Sequence, residues 1–245
     1  MSSQILFGEP VWIREDLGDW VRLETAGFYQ GFARKAHFEA GPLRHLPEGP
    51  VFRCTNATTR VWRGLHIPVP EGGLCWPVEG GNPDPARWSE LPAHPGFHPE
   101  RLVSDGMALC GIPYVWGGKT RWGMDCSGLV QFLLESQGFS FPRDAWQQEE
   151  MGEKLEGMAA EAALPGDLYF FQEPRKKVHH VAIALGDGRF LHASEWVRIE
   201  SLRPQDRDFA PARLETFHSV RRLGRGSLKS LRTAFMNMIP PENGV

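Results

Sequence analysis

GIPYVWGGKTRWGMDCSGLVQFLLESQG, residues Gly111 to Gly138, is the stretch from which the rest of the chain is read. A glycine-rich loop delivers Asp125, Cys126 and Ser127 to an apolar run in which Leu129, Val130, Phe132, Leu133 and Leu134 cover most of a helix's circumference. That pattern predicts a buried, central helix from about Cys126 to Gln137, stopped by Gly138. A thiol at a helix N-terminus faces unpaired N–H groups and the positive end of the dipole, so its pKa is expected below the free value of about 8.5. Cys126 is therefore a candidate nucleophile; the competing reading is a small buried residue at a helix start.

Outward from this helix, Pro99 suits the first turn of another, running through Leu102, Val103, Met107 and Leu109 to a stop at Gly111. Asp144 suits the N-cap of a third, more polar helix through Ala145 to Met151. Beyond Pro165 and Gly166 the pattern turns to strands at Asp167 to Phe171, Val178 to Leu185 and Arg189 to Ser194. In VHHVAIALGDGRFLHAS, a three-residue Gly186-Asp187-Gly188 loop pairs Leu185 with Arg189 and Ala182 with His192. His180 and His192 then lie diagonally on one sheet face, about 7 to 8 Å apart at Cα. A two-residue loop instead puts them on opposite faces. Ala182 and Ala184 share the His180 face, and their small side chains make it the expected seat of the Cys126 helix. With that geometry His180 is the general base, His192 orients it, and Cys126 attacks an amide carbonyl with no metal or cofactor required.

The chain has 245 residues, 41% of them hydrophobic, with 27 Lys plus Arg against 30 Asp plus Glu. This suits one large or two small folded domains and argues against a nucleic-acid partner bound through phosphate neutralisation. No apolar stretch approaches the roughly 20 residues of a membrane-spanning helix. The N-terminal MSSQILFGEPVW does not read as a signal peptide, which makes cytoplasmic localisation the expectation, with secretion following if a leader has been removed. Cys54, Cys75, Cys110 and Cys126 form no CxxC pair, so neither a zinc site nor a disulfide framework is indicated.

Short β-type segments at Val11 to Arg14, Trp20 to Leu23, Phe28 to Ala33 and Val51 to Cys54 suggest a small barrel or sandwich. The Pro- and Gly-rich residues 81–99 are expected to be a linker, suiting neither helix nor central strand. The divisions expected are an N-terminal β domain over 1–80, that linker, a catalytic domain over 100–222, and a basic, solvated tail or helix face over 223–245.

Taken in order, YVWGG (Tyr114 to Gly118), GMDCSGLVQ (Gly123 to Gln131), PRDAWQQ (Pro142 to Gln148), LPGDLYFF (Leu164 to Phe171), HVAIALGDG (His180 to Gly188) and LHAS (Leu191 to Ser194) resemble the NlpC-type family of papain-like cysteine peptidases that cut bacterial cell-wall stem peptides. The resemblance covers roughly residues 100 to 200. It implies an α+β papain-like domain with Cys126 as nucleophile, His180 rather than His179 as base, and His192 as third member. It also implies oxyanion or substrate positioning by Tyr114, and substrate binding by Asp125 and Ser127; for Asp125, a plain helix cap is the alternative. LFGEPVWIREDLGDWVRLE followed by GFYQGF resembles the SH3-like domains that accompany a murein-recycling subgroup. There a glutamate and a tyrosine recognise the free amine of L-Ala; the matching positions are Glu9 and Tyr29.

The resemblance implies hydrolysis of the bond between γ-D-glutamate and a diamino acid, with meso-diaminopimelate expected, in murein peptides with a free N-terminal L-Ala. One rival is a thiol amidase or acyltransferase using the same triad, which would call for an apolar acyl groove. Another is a wall-binding module with a decayed site, against which the intact Cys126, His180 and His192 count.

Overall fold

A computed structural model describes residues 3–26, 29–38, 50–62, 64–75, 83–157 and 159–237. They fall into two units, one containing Gly96–Leu228 with the first residues up to Gln4, the other Ile5–Pro95 with the C-terminal segment from Lys229. Among the described residues, no helix is long and apolar enough to cross a membrane.

The first unit is built on a six-stranded antiparallel sheet. Its spatial order is Glu153–Lys154, Phe217–Arg222, Leu168–Gln172, Val178–Gly186, Arg189–Ser194 and Trp196–Ser201. Four helices accompany it: α1 (Pro99–Met107), α2 (Cys126–Ser136), α3 (Ala145–Gln148) and α4 (Pro211–Thr216). Every residue of α2 from Cys126 to Leu134 is buried, as its all-round apolar composition requires. Strand alternation sorts the sheet into two faces. Leu168, Phe170, Val181, Ile183, Leu191 and Ala193 pack with α2, while Tyr169, Phe171, Ala182, Ala184, Phe190 and Val220 form a separate cluster on the other side.

This overturns one expectation: α2 does not sit on the Ala182 and Ala184 face. The room left by those two alanines is filled by the aromatic rings of Tyr169, Phe171 and Phe190, which lie edge-on or tilted to one another. The helix takes the branched, apolar Val181 and Ile183 face instead.

The hairpin carrying the histidines corrects another. Ile183 pairs with Leu191 and Ala184 with Phe190, but Gly186 pairs with Arg189, so Leu185 is an extra, bulged residue. The loop is the two residues Asp187 and Gly188, both with positive φ (50° and 75°), as a primed turn needs. A two-residue loop alone would separate the histidines; the bulge restores the parity that a three-residue loop was expected to supply. A second irregularity, between the pairs Phe171–His180 and Gln172–Val178, leaves His179 as the surplus residue. His179 is exposed and His180 buried.

In the second unit, Val11–Leu17, Trp20–Thr25 and Gln30–Arg34 form one antiparallel sheet. Leu74–Cys75, Phe52–Cys54 and Trp88–Glu90 form a second, and Thr58–Trp62 with Leu65–Val69 a third. Among the described residues these sheets do not close into a barrel. Two boundaries also change. Part of the expected linker is the strand Trp88–Glu90, where the buried Trp88 ring packs with Phe52, Cys54 and Val69; as an edge strand it tolerates the surrounding prolines. The expected basic tail contains α5 (Leu231–Met236), whose Leu231, Ala234 and Phe235 are buried with Val51, Leu74 and Leu91, while its one basic residue, Arg232, is exposed off that apolar face.

The entry to α2 depends on close backbone packing. A Cβ on Gly128 would stand 2.1 Å from the Gly118 carbonyl oxygen, a backbone atom with nowhere to move. Gly128→Ala is therefore expected to lower the free energy of unfolding by about 2–3 kcal/mol, read by urea denaturation, despite alanine's better helix propensity. Unchanged or raised stability would contradict this packing.

Candidate active site

The residues around Cys126 are organised by one carboxylate. Asp125 is the N-cap of α2, with Oδ1 accepting from Gly128 N–H at 2.7 Å. Its Oδ2 accepts from Gly117 N–H at 2.8 Å, which folds the glycine-rich loop back onto the helix start. Arg143, almost wholly buried, donates to both oxygens at 2.9 and 2.6 Å. Ser127 accepts from Arg143 Nη1 at 2.9 Å and donates to Asp125 Oδ1 at 3.3 Å. Gln148, also buried, donates to Ser127 O at 3.0 Å and to Pro142 O at 2.8 Å, tying α3 to α2. A carboxylate offers about four lone-pair sites, and Asp125 already receives five donors. The cap is thus present, and a substrate ammonium at Asp125 would have to share an oxygen with these donors.

The Cys126 thiol is buried, and the backbone N–H of Val181, the residue after His180, is close enough to favour its anion. Its pKa is pushed up to about 11, by burial first and the Asp125 charge second; the N–H groups of Val181 and Ser127 and the Arg143 cation oppose the rise. This corrects the expectation of a lowered value: the helix start favours the anion, but here it is buried beside a carboxylate. Tyr114, half-buried, is raised to about 12 by burial and by the Cys126 and Asp125 charges, which keeps its hydroxyl protonated as a donor near the thiol.

On the sheet, His180 Nε2 and His192 Nδ1 stand 2.8 Å apart in a buried hydrogen bond. Burial lowers the pKa of both rings. For His180 the Arg213 cation, His192 and His179 add to the effect; for His192 the Glu200 carboxylate opposes it. Burial therefore favours the uncharged form of both the imidazole and the thiol.

Three further side chains belong to this neighbourhood and were not assigned roles from sequence. Arg143 lies within the quoted PRDAWQQ motif, whose match to the family was the available signal. Glu200 is brought to the site by strand pairing, since His192 lies opposite Arg198 and Glu200 is two residues further on the same face. Arg213, on α4, donates to Ser194 Oγ at 3.3 Å and lies over the Phe171 ring at 5.7 Å. No local pattern marks either of these two. Glu9 and Tyr29 are in the other unit. Glu9 Oε2 accepts from Leu6 N–H at 3.0 Å, and the half-buried Tyr29 accepts from Thr25 N–H at 2.9 Å through its carbonyl.

A helix-borne thiol and a sheet-borne histidine pair that meet at the Val181 backbone are the arrangement of a papain-like cysteine peptidase. Comparison with known proteins agrees and is more specific. The NlpC/P60 family model matches residues 111–210. A gamma-D-glutamyl-L-lysine dipeptidyl-peptidase of Bacillus subtilis (strain 168) is 36% identical over 218 residues, covering 79% of this chain and 72% of the relative. Dipeptidyl-peptidase 6 of Lysinibacillus sphaericus is 25% identical over 226 residues, covering 79% of this chain and 80% of that protein. The crystal structure of an NlpC/P60 family protein from Bacillus cereus ATCC 10987 shares the fold, with a TM-score of 0.70 over 90% of this chain and 81% of that one at 21% identity. The chain belongs to the NlpC/P60 family and is a cysteine peptidase.

The raised thiol pKa has a direct consequence. Alkylation of Cys126 by iodoacetamide, followed by peptide mass mapping to separate it from the exposed Cys110, is expected to accelerate about tenfold per pH unit from pH 7 to beyond pH 9. A rate already level at pH 7 would show a preformed thiolate and contradict the raised thiol pKa.

Proposed function

We propose that this chain hydrolyses the γ-D-glutamyl to diamino acid bond of murein peptides bearing a free N-terminal L-Ala. Cys126 is the nucleophile, His180 the base and His192 the residue that orients it. The observation carrying this reading is the 2.8 Å His180–His192 bond, made on the strand whose Val181 N–H meets the Cys126 thiol. His180 Nε2 is engaged by His192, so Nδ1 is the nitrogen that takes the thiol proton as sulfur attacks the γ-carbonyl carbon. The oxyanion is held by the Cys126 backbone N–H and the protonated Tyr114 hydroxyl. His180 returns the proton to the departing amine, releasing the diamino acid and leaving a thioester on Cys126. Water then attacks the thioester carbonyl with His180 again as base, freeing the L-alanyl-γ-D-glutamate and restoring the thiol.

The choice of bond is supported by the name of the 36% identical relative, which concerns a γ-D-glutamyl to L-lysine bond; meso-diaminopimelate is the diamino acid proposed here. Selection of a free amine fits soluble wall fragments in cytoplasmic recycling, because in intact murein the L-Ala nitrogen is acylated. The N-terminal unit is assigned as SH3-like on its motif resemblance between Leu6 and Glu24 and at Gly27 to Phe32.

Incubation with L-Ala-γ-D-Glu-meso-diaminopimelate, read by mass spectrometry, is expected to release free diaminopimelate, with no release by Cys126→Ala. Cleavage of the N-acetylated peptide but not the free one would overturn the free-amine reading. Undiminished cleavage by the variant would overturn the role of Cys126.

A further inference from the structure

The histidine pair does not end at His192. Its other ring nitrogen, Nε2, is buried, has no aligned hydrogen-bond partner among the described residues, and stands 3.1 Å from Glu200 Oε2. Glu200 is mostly buried and is also ion-paired with Arg198, which in turn donates to Glu195 at 2.8 Å. The observed line of groups is therefore imidazole, imidazole, carboxylate.

Two neutral imidazoles joined by one hydrogen bond have two arrangements, because each ring carries a single N–H. In the first, His180 Nε2–H donates to His192 Nδ1, His192 carries its proton on Nε2, and His180 Nδ1 is bare. In the second, His192 Nδ1–H donates to His180 Nε2. His192 Nε2 is then bare and sets its lone pair against a carboxylate oxygen 3.1 Å away, while His180 Nδ1 carries a proton. Only the first arrangement accepts a proton from a thiol, and the Glu200 charge disfavours the second.

We propose that Glu200 is a positioning residue for this site: by keeping the proton on His192 Nε2 it fixes the tautomers of both histidines and leaves His180 Nδ1 free to act as the base. The proposal rests on the reading of His180 as base. Glu200 touches no substrate atom and acts through His192. When His180 becomes an imidazolium during attack, the same carboxylate stabilises the positive charge through the intervening ring. The charges facing the pair are Glu200, Arg198 and Arg213 at His192, and Arg213 and His179 at His180; Glu200 is the acidic group among them.

The direct test is long-range 1H–15N NMR of the histidine rings in the full chain near pH 8. Both His180 and His192 are expected as Nε2–H tautomers, and a Nδ1–H tautomer at His192 would overturn the proposal without any variant. In Glu200→Gln, the His192 preference for Nε2–H is expected to weaken. In peptide cleavage, kcat should drop about a hundredfold with KM nearly unchanged, and the acid limb of kcat/KM should move to lower pH, because removing a negative charge weakens the base. Glu200→Asp should recover part of kcat. A variant that loses melting temperature and kcat while tautomers and the acid limb stay in place would reduce Glu200 to a structural role. Tautomers are read without substrate, so they stand even if the proposed peptide is not cleaved.

Discussion

Asp125 holds together three elements: the α2 helix it caps, the Gly117 turn it draws in, and Arg143 at the threshold of α3. Placing a carboxylate and a guanidinium in a buried site costs several kcal/mol of solvation for each ion, and the bidentate pairing with additional N–H donors is what offsets that cost. The position of Cys126 follows, since the residue after a capped Asp is the first of the helix. The thiol inherits both sides of the arrangement: N–H groups and Arg143 favour its anion, burial and the Asp125 charge oppose it, and the opposing pair is larger.

That balance shapes the chemistry. On the proposed mechanism a thiol kept protonated is unreactive until its proton moves to His180, whose strength and tautomer then govern the rate. The sheet supplies both through strand pairing, with His180, His192 and Glu200 brought from three successive strands to one line. The same antiparallel sheet turns Val181 and Ile183 towards α2 and the Tyr169, Phe171 and Phe190 rings away from it.

Much of this was legible in the residues themselves. The all-round apolar run after Cys126 could only be a buried helix, and for Asp125 before it a cap was the alternative to substrate binding. The parity of His180 and His192 came out as expected, although by a two-residue turn plus a bulge at Leu185, which no propensity announces. What local pattern could not supply was long-range. The alanines at 182 and 184 suggested a helix above them because nothing in sequence showed Phe171 and Phe190 folding over that space. Trp88 and Leu231 looked like linker and tail until the clusters they join were in place. Glu200 has no motif of its own and acquires meaning only through the strand that carries it past His192.

The central claim is that Cys126 forms the covalent bond to the acyl half of a γ-glutamyl peptide. Rapid acid quench of the protein with L-Ala-γ-D-Glu-meso-diaminopimelate, followed by intact-mass and peptide mapping, measures this directly. The account predicts a transient mass increase equal to the L-alanyl-γ-D-glutamyl group, confined to the peptide containing Cys126. Product accumulation with that adduct on another residue would contradict it.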